Sequence, residues 1–353
     1  MRTINVGFIG VGGISQAHCR TFSGIEGVKI VAASDVSQPN LDRMKERWDV
    51  EHLFTDYHEM LQMDEIEAVF VCTPTAVHAA PTIAALKAGK HVLCEKPMEA
   101  RLEAATEMVR TAHETGKNLM IALKLRFSPQ VQKAKAIIEA GTLGDIYYVE
   151  TVADRRRGMP GGSFIRKATA GFGAVADIGV YALDTALYLM GHPKPIAVSG
   201  MTSDYLGLHN TWNPALKETE VEDFAVGWVL FDNGARMVFK TCWLMNMDSL
   251  GGTIFLGTQA GLRIGIGEVR GPQDGVRVYG DKDGEIHDEV YTEFPSVDVF
   301  RAEDMAFLDS VREGKPSPIA PDGVLLTNVI IQGVVDSQAI GGREVEVTVP
   351  TFT

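Results

Sequence analysis

The chain has no apolar run approaching the ~18 residues that a membrane-spanning helix needs, and it has little cysteine, four residues in 353. Cys19, Cys72, Cys94 and Cys242 show no paired ligand spacing, and the nine histidines place no pair on one helix face. No metal centre is expected, and the cysteines read as small buried apolar residues. Basic side chains are also in deficit. With 33 Lys and Arg against 46 Asp and Glu, the formal charge is −13, which disfavours phosphate backbones and anionic lipid as partners. Neither a nucleic-acid nor a membrane partner is expected. The first apolar stretch, residues 6–9, is shorter than a signal-peptide core and runs straight into glycines, so it reads as a strand, and the protein is expected to be cytoplasmic.

What is present is enough apolar residue, 45% of the chain, for two domains with separate cores. Short β-branched runs at residues 4–9, 29–34, 68–72, 91–94 and 119–122 read as strands. Alanine-rich or amphipathic segments between them, such as 79–88 and 99–114, read as crossover helices of a parallel, doubly wound sheet. Beyond about residue 123 the rhythm changes. A helix over 131–139, a strand over 146–153, a loop rich in Arg, Gly and Lys, and a helix over 176–190 lead into a region where strands dominate. Runs at 224–231 and 235–243 flank Asn233 and Gly234, a strong hairpin signal. The first of these runs is apolar on both alternating faces, so one face is expected on helices and the other on a second subunit. Helices over 299–312 and 324–338 close the chain. The expected fold is α/β. Residues 1–122 form a Rossmann domain, and residues 123–353 form an α+β domain with a largely antiparallel, open-faced sheet. The last helices are free to pack back on the first domain.

Gly10, Gly12, Gly13, Ile14 and Ser15 follow a strand and open a helix, the context that a dinucleotide fingerprint requires. Gly10 allows the tight turn, and Gly12 lets the backbone approach a pyrophosphate on the helix N-terminus. The third position holds Ser15 rather than glycine or alanine. Asp35, just past the second strand, is placed to accept hydrogen bonds from the ribose hydroxyls and to repel a 2′-phosphate. NAD is therefore the expected cofactor, with NADP as the alternative.

Glu95, Lys96 and Pro97 follow the fourth strand run, and Thr73, Pro74 and His78 follow the third. Together with the glycine loop and its trailing His18, they resemble the Gfo/Idh/MocA family of sugar and polyol oxidoreductases. The resemblance extends to Arg126, Phe127 and Pro129, to Asp177, Gly179 and Tyr181, and to the Asn233–Gly234 hairpin. It implies that Lys96 lies by the nicotinamide and bonds the reacting hydroxyl, with Thr73, Pro74, His78, Glu95 and Arg126 also at the cofactor. An ammonium there would stabilise a developing alkoxide. Where the family usually has a histidine, this chain has Tyr181, which some branches use for proton transfer. The i, i+4 spacing puts Asp177 and Tyr181 on one helix face. A phenol ordinarily titrates near 10 and needs a neighbouring cation to act as a base, a role open to Lys96. The alternative reading makes Asp177 a helix cap and Tyr181 a packing residue.

The substrate set is expected to comprise Lys96, Arg126, Arg157, Lys167, Asp177 and Tyr181. Arg157 and Lys167 have the alternative of simply solvating a surface loop. His209, Asn210 and Trp212 are of the type that stacks on sugar rings, although turn aromatics are common. The expected activity is hydride transfer between NAD and a hydroxyl-bearing carbon of a sugar, inositol or related polyol, in a homodimer or homotetramer. The alternatives are a glycosidase with a closed redox cycle on bound NAD and a noncatalytic sugar-responsive regulator.

Overall fold

Short apolar strands covered on both faces build the first sheet. In the computed structural model, which describes residues 2–266 and 275–352, they are β1 (Ile4–Ile9), β2 (Val28–Ser34), β3 (His52–Phe54), β4 (Ala68–Val71), β5 (His91–Cys94) and β6 (Leu119–Ile121). All pair in parallel in the order β3-β2-β1-β4-β5-β6. This is a doubly wound sheet whose connections reverse direction between β1 and β4, where the carboxyl ends of the strands form a ligand crevice. β4 is buried at every position, as a strand covered on both faces should be. The sequence gives no signal for β3, whose three half-buried residues at the sheet edge carry too little periodicity.

The intervening helices are α1 (Ser15–Phe22), α2 (Gln38–Trp48), α3 (Tyr57–Met60), α4 (Ala79–Lys87) and α5 (Leu102–Thr115). α5 starts later than the expected residue 99. Glu99 instead turns its carboxylate onto the amides of Ala79 (2.9 Å) and Ala100 (2.7 Å).

The second sheet follows α6 (Pro129–Glu139), which is capped by the Ser128 hydroxyl accepting from the Val131 amide at 3.2 Å. Between β7 (Ile146–Asp154) and β8 (Pro195–Ser203) lie α7 (Lys167–Ala170), α8 (Ala174–Asp177) and α9 (Gly179–Met190). After α10 (Tyr205–His209) come β9 (Phe224–Phe231), β10 (Arg236–Cys242), β11 (Thr253–Gly257), β12 (Gly261–Ile264), β13 (Val276–Lys282), β14 (Glu285–Tyr291) and finally β15 (Val345–Glu346). The order is β14-β13-β12-β11-β7-β10-β9-β8-β15, antiparallel throughout except between β7 and β10. The expected hairpin is present. Gly234 takes φ +83° and its amide donates to the Phe231 carbonyl. Along β9, Ala225, Gly227, Val229 and Phe231 are buried, and the alternate residues are half-buried. The buried side belongs to a core that includes Phe231, Phe239, Phe255 and Leu187.

One expected element is corrected. The helix over 176–190 is broken at Ile178, and the helical segments ending at Asp177 and starting at Gly179 are bent 50° apart. The start of α8 is pinned to the approach to β9. The Glu222 carboxylate accepts from the amides of Gly173 (2.7 Å) and Val175 (3.1 Å), and the Glu222 carbonyl accepts from Ala174 (3.0 Å). Asp177 and Tyr181 therefore do not share one uninterrupted helix face.

The chain divides into two compact units. The first holds residues up to Lys124 together with Asp298–Leu325 and Phe352, and the second holds the described residues of Leu125–Val297 and Leu326–Thr351. α11 (Val299–Glu313) thus belongs to the first unit, where Phe307 stacks edge-on against Phe70 at 5.7 Å. The division falls inside α12 (Pro321–Ala339). Among the described residues no single helix is long and apolar enough to cross a membrane.

Candidate functional site

In the first unit the glycine loop follows β1 directly. Gly10 has φ +79°, and a Cβ there would lie 2.8 Å from the backbone of Cys72 and Thr73. Only glycine fits. At Gly12 and Gly13 a Cβ would meet nothing within 4 Å, so the backbone amides before α1 stand open to an incoming anion. The Ser15 hydroxyl donates to the Gly12 carbonyl at 2.8 Å and closes the turn, and Ile14 beside it is exposed. Asp35 is brought onto this loop. Its Oδ2 accepts from the Val11 amide at 2.7 Å and from Asn40 Nδ2 at 3.1 Å, and its Oδ1 accepts from the Ser37 amide at 2.8 Å. The carboxylate is thereby a fixed acceptor beside the turn. These features fit a dinucleotide: an open run of amides for the pyrophosphate and an oriented acid for the ribose.

The Glu95–Lys96–Pro97 turn leaves the end of β5, with a cis peptide between Lys96 and Pro97. Two buried histidines flank it. Nε2 of His18 lies 3.0 Å from Glu95 Oε1, and its Nδ1 lies 2.8 Å from Asp304 Oδ1. The second Glu95 oxygen accepts from the Lys96 amide at 3.0 Å. Burial opposes charge on His18, but the Asp304 and Glu95 carboxylates outweigh it and push its pKa up to about 10. Burial likewise opposes charge on Glu95, yet His18 and Lys96 hold its carboxyl below the usual range.

On the other side of the turn, His78 Nδ1 is 2.9 Å from the Pro97 carbonyl and Nε2 is 2.8 Å from the Thr73 carbonyl. Here too burial opposes charge, while Cys94 and the two carbonyls raise the pKa to about 9. His78 thus ties the Thr73–Pro74 segment to the lysine turn.

In the second unit, Asp177 Oδ2 accepts from Trp243 Nε1 at 2.9 Å and lies 3.6 Å from Arg155 Nη1. Tyr181 is buried, at 6% exposure. Arg126, expected at the cofactor or substrate, is engaged within the second unit. Its Nε and Nη2 donate to the two oxygens of Asp184 at 2.9 and 2.6 Å, and its guanidinium lies over the Tyr188 ring. It anchors α9. Arg157 is similarly engaged, with Nη2 on Asn246 at 2.7 Å, Nη1 on the Met245 carbonyl and its guanidinium 4.0 Å from the Trp212 ring. Lys167 is exposed, and its backbone amide donates to Glu220. His209 stacks on Tyr205, and Asn210 is buried and donates to the Gly207 carbonyl.

Sequence reasoning missed Arg155 and Trp243 as partners of Asp177, and Asp304 as the partner of His18. No local pattern marks any of these three, because each contact joins distant parts of the chain.

Comparison with known proteins bears on the whole chain. Residues 4–123 match the family described as "Oxidoreductase family, NAD-binding Rossmann fold", and residues 131–263 match the "GFO/IDH/MocA C-terminal domain". The sequence is 30% identical to D-glucoside 3-dehydrogenase of Escherichia coli over 90% of each chain. It is 28% identical to myo-inositol 2-dehydrogenase of Thermotoga maritima over 67% of this chain and 70% of that one. The fold is like that of levoglucosan dehydrogenase in complex with NADH, with a TM-score of 0.84 at 22% identity, covering 98% of this chain and all of the other.

Proposed function

Since the chain belongs to the Gfo/Idh/MocA oxidoreductase family, we propose roles for its own residues in that family's chemistry. The protein is an NAD(P)-dependent dehydrogenase acting on a hydroxyl-bearing carbon of a sugar or polyol. The two relatives described above are dehydrogenases, and neither the closed-cycle glycosidase nor the regulator gains support from them.

Gly10, Gly12, Gly13 and Ile14 hold the dinucleotide phosphates, and Asp35 accepts from the ribose. When bound, the nicotinamide supplies the hydride acceptor. Lys96 orients the reacting hydroxyl and stabilises the charge that develops as it loses its proton. Tyr181 passes that proton on, its phenolic oxygen taking up the hydroxyl proton as its own proton is released, and Asp177, held by Trp243 and Arg155, accepts a hydrogen bond from a sugar hydroxyl. Thr73, Pro74, His78 and Glu95 shape the walls around Lys96. The observation that carries this reading is the Asp35 carboxylate, bonded by the Val11 and Ser37 amides into the glycine turn. It favours NAD over NADP because a carboxylate bonded to the ribose would repel a 2′-phosphate.

The same reading takes the protein to be a cytoplasmic homo-oligomer joined through the second sheet. With its charge of −13 it has neither nucleic acid nor membrane as a partner.

The test is nicotinamide reduction by purified protein with methyl β-D-glucoside, myo-inositol, D-xylose and levoglucosan, run with NAD and NADP in parallel. Turnover with NAD, reduced about a hundredfold or more by Lys96→Ala, is the expected result. Turnover with NADP alone would overturn the role given to Asp35. Undiminished turnover in Lys96→Ala would remove Lys96 from the chemistry.

A further inference from the structure

Glu95 is bonded both to the backbone of Lys96 and to a histidine whose other nitrogen faces α11. Resting on the reading of Lys96 above, we propose that His18 and Asp304 form with Glu95 a buried positioning relay that sets the catalytic lysine through its backbone. α11, remote in sequence, is then part of the reaction apparatus of the first unit.

The chain of contacts is continuous. The Thr21 hydroxyl donates to Asp304 Oδ2 at 2.5 Å, Asp304 Oδ1 is 2.8 Å from His18 Nδ1, His18 Nε2 is 3.0 Å from Glu95 Oε1, and Glu95 Oε2 accepts from the Lys96 amide at 3.0 Å. The His18 ring is fully buried, with Phe70 at 5.4 Å and Phe300 at 5.8 Å packed edge-on to it. It cannot rotate without breaking both ion pairs. With both nitrogens donating, the imidazolium fixes one Glu95 oxygen and leaves the other aimed at the lysine turn.

The Asp304 and Glu95 carboxylates favour the charged form of His18, and His18, Lys96 and Lys124 in turn favour the charged form of Glu95. Glu303 is buried with neither oxygen bonded, and burial, followed by the charge of Asp304, pushes its carboxyl well above the usual range.

A buried ion triad is weak evidence of stabilisation, since apolar replacements of the same volume are often as stable or more so. Fixing one geometry is the better-supported use of such a group. Small displacements of a reacting group cost large factors in rate, and this group ends on the amide of the one residue assigned to the reacting hydroxyl.

The experiment uses the full chain with His18→Gln, Asp304→Asn and the milder Thr21→Val. For each, thermal unfolding, the NAD dissociation constant, and kcat and KM for the best sugar of the panel are measured. Alongside them runs the NMR signal of Lys96 in 13C-dimethylated protein, assigned with Lys96→Arg. The expected result is a fall in kcat of about tenfold or more in the first two variants. NAD affinity and KM should change less than roughly threefold, and the Lys96 resonance should move in the same variants. Thr21→Val should show the same changes, smaller in size, and it decides the matter if the other two fail to fold. Loss of thermal stability with wild-type kcat and an unmoved Lys96 resonance would reduce the relay to a structural support. If wild-type protein reduces NAD with no sugar tested, the dehydrogenase reading fails, while the Lys96 resonance still reports on the relay.

Discussion

Asp35 receives two backbone amides and one side-chain amide, so replacing it does two things. Asp35→Ser removes the ribose acceptor, and it also releases Val11 in the glycine turn. The KM for NAD should rise by about tenfold or more, as expected when a charged hydrogen bond of ~1.5–3 kcal/mol is lost. The NADP:NAD ratio of kcat/KM should rise as well, because the charge that opposes a 2′-phosphate is gone. Parallel kinetics with the two cofactors check both, and an unchanged ratio would argue against the assignment.

Glu222 gives a prediction of a different kind. Burial pushes its carboxyl from an ordinary 4.5 up to about 7, against the lowering effect of the Gly173 and Val175 amides. The folded state therefore holds this proton more tightly than the unfolded chain does. The stability it contributes is complete below pH 4.5 and is lost as pH rises through 7. Glu222→Gln keeps an acceptor for both amides and does not ionise, so its melting temperature should gain on wild type between pH 5 and 8. His18 and His78 also lose stability as pH rises from their ordinary 6.5 toward about 10 and about 9, but they do so in both proteins alike.

The place of Asp35 beside the glycine turn was legible in the sequence because it lies a fixed distance from a local motif, and Lys96 was singled out by the resemblance of its Glu-Lys-Pro triplet. Glu222 and Asp304 were not, because their roles come from contacts with Gly173 and His18 far along the chain.

The same contrast holds for whole elements. The turn between β9 and β10 is written in two adjacent residues, and Gly234 adopts the positive φ that an Asn-Gly pair implies. A Cβ on Gly234 meets nothing within 4 Å, so the cost of Gly234→Ala is conformational alone, about 1 kcal/mol. That corresponds to a melting temperature roughly 2–4 °C lower in a unit of this size, with NAD affinity unchanged.

Gly173 looks equally ordinary in the sequence. A Cβ there would lie 1.9 Å from the Glu222 carbonyl, so Gly173→Ala should displace the start of α8 and with it Asp177. Its effect on KM for sugar should far exceed that of Gly234→Ala. Equal, small effects of the two substitutions would contradict the pinned α8. The break between α8 and α9 was illegible for the same reason. The run of residues 176–190 has helical composition throughout, and what interrupts it is the approach to β9, some 45 residues downstream.

At the scale of the molecule, the second sheet has one face in the core and another that carries a continuous row across its strands. Ser199, Trp228, Val238, Glu150, Ile254, Arg263 and Arg277 stand opposite one another in register. Trp228 and Val238 in the middle are half-buried, and Arg263 faces Arg277 directly across β12 and β13. Like charges opposite one another destabilise a sheet, and an apolar centre with charged flanks is the anatomy of an interface. A chain of net charge −13 repels its own copies at long range, so association needs a local surface on which basic and apolar groups outweigh the acids, and this row supplies one. If copies of the chain join here, light scattering should give a mass of two or four times 38.4 kDa. Trp228→Glu should lower that mass, because a carboxylate desolvated at the centre of the contact costs several kcal/mol. The melting temperature of the separated chains should fall with dilution less than that of wild type, whose folded state is coupled to assembly. A wild-type mass of 38.4 kDa, or an unchanged assembly in Trp228→Glu, would leave this face without the partner proposed for it.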